Sequence, residues 1–403
     1  MSRQLRAAGI LVPDDSDELV EVIEENLAAI ASTRVLVQVV QPTAACQLGC
    51  DYCGQAHAPR QMSPIHQGLV VKRVRARLAR GRFGALRVSW FGAEPLLGMR
   101  TMRHLSPKLA AEAEAVGATY EATVVTNGML FDEAVATELE HNHGVVEAEI
   151  TIDGPPSVHD ARRPARNGGG SFNRIFKNLC SVARAPGVSM ELTMRCNVDG
   201  RNADGVDALI DLLVEAELHE RVSVYFAPVY SWGNQADRSS LTLEDFAARE
   251  IEWLARLASA GFATSLIPSR QEIVCLAVRP DGELIDANGT LFNCTEVALV
   301  PSYGEPNRHA VGSLEGGRAD AHAPFADFNE RILSGAQGPC GACHLLPACG
   351  GACPKLWSEG KVPCPSTKLN LGERLLIWYA NATIGAEDHM ASSLRPHSKG
   401  ERA

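Results

Sequence analysis

Six short, strongly apolar runs recur along the chain, and between them apolar positions repeat every three or four residues. The runs RVLVQVV (34–40), ALRVSWF (85–91), YEATVVT (120–126), VVEAEITID (145–153), VSMELTMRCNV (188–198) and RVSVYFAPV (221–229) read as strands. The helical spacing between and after them predicts helices near 66–80, 101–115, 131–141, 172–184 and 203–216. Six βα units in succession imply an α/β fold with a parallel sheet and right-handed crossovers. Such a sheet can curl into a full or partial barrel, with functional groups collecting at the C-terminal strand ends.

The pattern differs at both ends. Residues 1–34 form an N-terminal extension whose acidic segment DELVEVIEENLAAIAS has helical spacing. After residue 240 the alternation stops. A helix near 242–260 bridges residues 241–270, and a Cys-, Gly- and Pro-rich region with short strands fills 271–375. Residues 376–403 are expected to hold a C-terminal helix and a disordered polar tail.

Composition narrows the function. The net charge is −10 and no dense Lys/Arg run occurs, which argues against nucleic acid as the main partner. The N-terminus lacks the apolar core of a signal peptide, and no run of about 18 apolar residues occurs. No membrane partner and a cytoplasmic location are expected. Twelve cysteines are many for a reducing compartment, where clustered thiols point to metal or catalysis.

Cys46, Cys50 and Cys53 lie on the loop after the first strand. Three thiolates there can hold three irons of a four-iron cube, leaving the fourth iron open to a small chelating molecule. The alternative is a structural zinc loop with His57 as fourth ligand. The CxxxCxxC spacing, with Tyr52 before the last cysteine, resembles the signature of the radical S-adenosylmethionine (SAM) superfamily. WFGAEPLL (90–97), TNG (126–128) and TIDGPPSVHDARRP (151–164) resemble further segments of that superfamily, in the same order after successive strands.

The resemblance implies a partial (β/α)6 TIM-type barrel over 35–240, with Cys46, Cys50 and Cys53 as catalytic cluster ligands and Tyr52 packed over the cluster. It implies SAM contacts from Gly92, Ala93 and Glu94, from Thr126 and Asn127, and from Thr151 and Arg163. Ala93 stands where a second glycine is usual, which an extended backbone would tolerate. Arg195 alternates with Thr193 and Asn197 on the fifth strand, so it faces either SAM and substrate or an interior ion pair. Cys180 and Cys196 read as buried hydrophobes.

The second group is Cys275 and Cys294, then Cys340, Cys343, Cys349 and Cys353, then Cys364. A pair of zinc knuckles would explain it on chemistry alone. The array, with CHLLPACGGACP (343–354) and CPSTK (364–368), looks like the SPASM domain of radical SAM enzymes, a small Cys-rich α+β unit. By resemblance, Cys340, Cys343, Cys349 and Cys364 hold one auxiliary 4Fe–4S cluster, and Cys275, Cys294 and Cys353 hold another. Asp281 stands where some relatives have an eighth cysteine, so the second cluster has either an open iron or a non-cysteine ligand.

The implied cofactors are SAM and three 4Fe–4S clusters. The implied activity is reductive cleavage of SAM to a 5′-deoxyadenosyl radical, which takes a hydrogen atom from a peptide. The expected substrate is a ribosomally made precursor peptide that gains a cross-link, a thioether or an oxidised residue. Only 45 residues precede Cys46, too few for a leader-gripping module, so any leader recognition is expected to use a separate leader-binding protein or another surface; a flavodoxin- or ferredoxin-type electron donor is expected. Thr295 replaces the acid that follows the second auxiliary cysteine in sulfatase-maturing relatives, and Gly54 replaces an aromatic that often follows the last cysteine of the first loop. The other readings are a radical SAM dehydrogenase or maturase acting on a small molecule or folded protein, and a non-enzymatic zinc-binding protein.

Overall fold

The computed structural model describes residues 12–81, 83–318 and 324–393. Helix α1 (Glu18–Ser32) precedes six βα units. Their strands are β1 (Val35–Val40), β2 (Ala85–Trp90), β3 (Thr119–Thr126), β4 (Val145–Thr151), β5 (Glu191–Val198) and β6 (Val222–Pro228). Neighbours pair in parallel in chain order. Strands β1 and β6 do not meet, so the sheet is an open, partial barrel.

The outer layer is α2 (Pro64–Leu78), α3 (Met99–Glu114), α4 (Glu133–His143), a short α5 (Pro156–Arg162), α6 (Phe172–Arg184) and α7 (Val206–Glu215). Strand alternation fixes which side chains face these helices. Leu86, Val88 and Trp90 of β2 are fully buried on that side, while Arg87 between them is exposed. Helix starts are capped: Ser63 accepts from the His66 N–H at 3.1 Å, and Asp132 from the Val135 N–H at 3.1 Å.

Beyond β6, helix α8 (Leu243–Ser259) packs its Trp253 on Phe226 of β6, with ring centroids 5.0 Å apart. The short strands of the Cys-rich region build no sheet of their own. Strand β7 (Leu284–Ile285) pairs in parallel with β1, and β8 (Thr290–Phe292), β9 (Gly312–Ser313) and β10 (Gly317–Arg318) add antiparallel strands beyond it. The junction is polar and buried: Arg73 and Arg77 of α2 both bind Glu283, and Arg77 donates to Gln38 of β1 at 2.7 Å. Glu283 is 1% exposed, so removing either arginine would leave part of a buried charge uncompensated.

Elsewhere in the described part of the Cys-rich region, turns and loops carry the short helices α9 (Phe328–Leu333), α10 (Leu346–Cys349) and α11 (Pro354–Ser358). Helix α1 covers it, its Ile23 and Ile30 clustering with Phe328, Ile332, Cys340 and Leu346. The C-terminal helix α12 (Thr367–Ser393) begins nine residues before the expected 376, since it opens with a kinked turn at Asn370. That turn is pinned to α8: Asn370 donates to the Ala247 carbonyl at 3.0 Å, and Arg374 pairs with buried Glu250 at 2.5 Å. The end of the expected disordered tail, 394–403, lies outside the described residues.

Candidate functional site

The C-terminal ends of the barrel strands surround an open cavity with about 1120 Å³ of empty space. Cys46, Cys50, Tyr52 and Cys53 line it from the loop after β1, and Gly92 and Ala93 from the end of β2. Thr126 and Asn127 line it from β3, Thr151 and Arg163 from the β4 side, and Arg195 from β5. Of the barrel residues expected to hold the cluster or contact SAM, Glu94 alone is absent from this lining.

Glu94 turns beneath the rim instead. Its carboxylate is fully buried and accepts the Leu96 N–H at 2.9 Å, the Thr126 hydroxyl at 2.8 Å and the Asn127 N–H at 2.7 Å. One side chain therefore ties the end of β2 to the end of β3. Asn127, so placed, directs its amide toward Cys46 Sγ at 3.7 Å. Ala93 is not extended: it has φ +49, beside Gly92 at φ +85. Two successive left-handed residues turn the main chain along the cavity, at a cost of about 1–2 kcal/mol for the alanine. Gly92 also leaves little room for a side chain: a Cβ there would lie 2.5 Å from the Gln41 amide, which would have to move.

The loop carrying the three thiols is held from below. Tyr52 donates to Asp153 at 2.6 Å and accepts from Asn197 at 3.0 Å and from Arg163. Asp153 is fully buried and also accepts the Asn197 N–H at 2.8 Å. Tyr52 is thus more than a packing surface: its hydroxyl joins the loop to β4 and β5. The HDxxR segment has a structural share too. Asp160 caps α6 through the Ser171 and Phe172 N–H groups, both at 2.8 Å. His159 accepts the Asp153 N–H on Nδ1 at 3.1 Å, so in its neutral form Nε2 carries the proton toward Ser171 Oγ. Burial lowers the His159 pKa to about 4.

Burial pushes the thiols up, Cys50 and Cys53 to about 11 and Cys46 in the same direction. Bare thiols so placed are not activated nucleophiles; a bound metal would be what makes them thiolates. His57 sits 3.9 Å from Cys53, and Arg166 donates to its other ring nitrogen at 3.3 Å. Among the described residues, no three His, Cys, Asp or Glu side chains close tightly enough to hold a single ion. Ligands on separate corners of a cube stand further apart than those of a zinc tetrahedron, whose sulfurs lie about 2.3 Å from the metal. Arg163 faces the cavity with its Nε unpartnered among the described residues, which fits an anionic group there.

The seven C-terminal cysteines fall into two groups in space. Cys340, Cys343, Cys349 and Cys364 line one small apolar pocket. Cys275, Cys294 and Cys353 lie close enough to perturb one another electrostatically, and burial pushes all three thiols up. The carboxylate of Asp281 is bound instead by Arg279 at 3.1 Å. Cys180 is half-buried and Cys196 fully buried, both against the barrel core.

Several lining residues escaped the sequence reading. Glu149 precedes Thr151 by two on β4, so alternation alone could have placed it; it accepts the Tyr225 hydroxyl at 2.7 Å and lies 3.7 Å from Arg195. Arg195 donates to Asn197 at 2.7 Å, which orients it within the cavity wall. Tyr230 and Trp232 reach the cavity just past the end of β6, and Glu296 reaches it from a distant loop that carries no local signal. Gly54 has a steric reason: a Cβ there would collide with the Trp232 carbonyl.

A model of the Radical SAM superfamily matches residues 40–213. The serine-type anaerobic sulfatase-maturating enzyme of Bacteroides thetaiotaomicron is 22% identical over 358 residues, 80% of this chain and 83% of that protein. The GTP 3′,8-cyclase of Chlorobaculum tepidum is 26% identical over 181 residues, 44% of this chain and 50% of that one. Among solved structures, native anSMEcpe with bound AdoMet matches with TM-score 0.61 and 16% identity, over 90% of this chain and 100% of that one. The same protein with bound AdoMet and Kp18Cys peptide matches with TM-score 0.63 and 16% identity, over 88% and 99%. These likenesses show a shared partial-barrel fold.

Proposed function

Because residues 40–213 are a radical SAM domain, a unit that works with SAM and a 4Fe–4S cluster, we propose that this protein is a peptide-modifying radical SAM enzyme with two auxiliary clusters. Cys46, Cys50 and Cys53 hold the SAM-binding cluster. Cys340, Cys343, Cys349 and Cys364 hold one auxiliary cluster, and Cys275, Cys294 and Cys353 the other. The bound cofactors supply a 5′-deoxyadenosyl radical that abstracts hydrogen.

The chain's own residues orient and enclose. The Gly92–Ala93 main chain, Thr151 and Arg163 present polar groups to SAM, and Asn127 flanks Cys46. Phe91, Tyr230 and Trp232 wall the cavity and exclude water from the reacting carbon. Glu149, Arg195 and Glu296 give the cavity a charged side facing the Cys-rich region. The observation that carries this reading is the convergence of three loop thiols and five strand ends on one cavity.

A precursor peptide is the substrate we favour, with a cross-link, thioether or oxidation as outcome. Fold likeness to a protein solved with a Cys-containing peptide supports it. A separate leader-binding protein, a flavodoxin- or ferredoxin-type donor and a cytoplasmic setting complete the proposal; no helix among the described residues is long and apolar enough to cross a membrane. One observation favours a second reading, a maturase acting on a folded protein. Thr295 lacks the acid of sulfatase-maturing relatives, yet Glu296 beside it places a carboxylate in the cavity.

Anaerobic incubation of the reconstituted protein with SAM, dithionite and candidate peptides tests the proposal. Mass spectrometry should find 5′-deoxyadenosine and a peptide lighter by about one hydrogen pair for an oxidative cross-link. A Cys46→Ala variant that still forms 5′-deoxyadenosine would refute the first-loop assignment.

A further inference from the structure

The amphipathicity of α12 is inverted. The side it turns to the body is polar: Asn370 and Arg374 are buried, and Arg374 binds the Glu250 carboxylate at 2.5 Å and donates to the Ser265 carbonyl at 3.0 Å. The opposite side is apolar and faces water. Leu376 is 70% exposed, Tyr379 64% and Leu375 46%, with Trp378 at the edge of the patch at 51%. A surface helix ordinarily shows the reverse. Beyond the kink at Asn370, Gly372, Leu376, Tyr379 and Thr383 recur at alternating steps of four and three residues, which draws one seam along a helix. Ala386 and Met390 extend the series in the sequence.

Residues 378–382 are all exposed, so the helix has left the body there, and an uncovered helix over the remaining length to Ser393 is marginal in water. Residues 375–386 contain no charged side chain, so a partner recognised by charge has nothing to pair with along the seam. A helix lying on a membrane carries Lys and Arg on its polar side, and residues 375–393 have neither. A second α12 fits the face better. In an antiparallel pair centred between Ile377 and Trp378, Leu376 of each copy meets the partner's Tyr379, and Gly372 leaves room for the partner's Thr383. The two bodies then lie at opposite ends of the pair. The four exposed side chains leave on the order of 400 Å² of apolar surface. That is about half of what a stable interface buries on each partner, and roughly six turns of paired helix would supply the rest from residues flanking the seam.

We propose that this protein is a dimer in which α12 pairs antiparallel with α12 of a second copy through Leu375, Leu376 and Tyr379. The contact is isologous, with the same apolar face serving both copies. It is independent of the cluster assignments and of the reaction proposed above.

Sedimentation equilibrium of the full, reconstituted chain tests it, with iron content and circular dichroism recorded for every variant. Wild type should sediment as a dimer at micromolar concentration. Leu376→Glu puts two carboxylates into the seam and should raise the dimer dissociation constant about 100-fold, with iron content and spectrum unchanged. Tyr379→Glu should do the same, and it decides the question if the first variant loads or folds poorly. Ile65→Glu, at a comparably exposed position at the start of α2, should leave the dimer intact. Mixing Leu376→Lys with Tyr379→Glu should recover a dimer that neither forms alone, because position 376 faces position 379; a mixture that stays monomeric would overturn the antiparallel register. Wild-type protein that is monomeric at high micromolar concentration, or a dimer that persists in both seam variants, would overturn the pairing itself. So would a monomer that binds phosphatidylglycerol vesicles and loses that binding in Leu376→Glu, which would assign the patch to a lipid surface.

Discussion

Replacing Glu94 by alanine would leave three buried donors unserved at the rim of the cavity: the Leu96 and Asn127 N–H groups and the Thr126 hydroxyl. Each unsatisfied donor costs about 1–3 kcal/mol. Thr126 can rotate its hydroxyl toward another acceptor, which reduces its share. Burial pushes the Glu94 carboxyl up, so removing the acid also returns some desolvation energy. The net expectation is a loss of about 3 kcal/mol, a large part of a typical folding stability. Glutamine should cost less, about 2 kcal/mol, because its carbonyl can serve Leu96 and Thr126 while its amide faces only the Asn127 N–H. Anaerobic urea unfolding followed by circular dichroism gives both values. A Glu94→Ala protein within about 0.5 kcal/mol of wild type would refute the idea that one carboxylate joins β2 to β3.

Gly92→Ala should cost about 2–3 kcal/mol, from a left-handed φ and a displaced Gln41, and should weaken SAM binding at least tenfold in equilibrium dialysis; unchanged affinity would count against a main-chain contact there. His159 should make the fold acid-sensitive. Its folded pKa of about 4 lies below the ordinary 6.5, so its contribution is intact above about 6.5 and is lost as pH falls toward 4. The loss amounts to about 3 kcal/mol. Stability measured against pH should therefore fall less steeply for His159→Gln than for wild type over that window, and parallel curves would contradict the buried, neutral imidazole.

The barrel was legible because each of its strands is long and apolar enough to show its period, as ELTMRCNV does on β5. Strands β7 to β10 were not, since two or three residues carry no period. The first cysteine loop stood out through spacing on one short segment. The division of the other cysteines could not come from spacing: Cys353 sits four residues after Cys349, yet joins Cys275 and Cys294 in space. Ala93 illustrates the opposite difficulty. Its left-handed backbone sits beside Gly92, which packs against Gln41, a tertiary setting that a residue name does not reveal. Glu296 belongs to the cavity only because a distant loop folds over the barrel mouth.

We propose that Cys46, Cys50 and Cys53 leave one iron free for SAM. EPR of the dithionite-reduced, fully reconstituted chain with and without SAM addresses it directly. SAM should change the signal of one cluster, and Cys46→Ala should abolish this response. A zinc ion filling that loop in oxygen-protected protein, with no change on adding SAM, would contradict it.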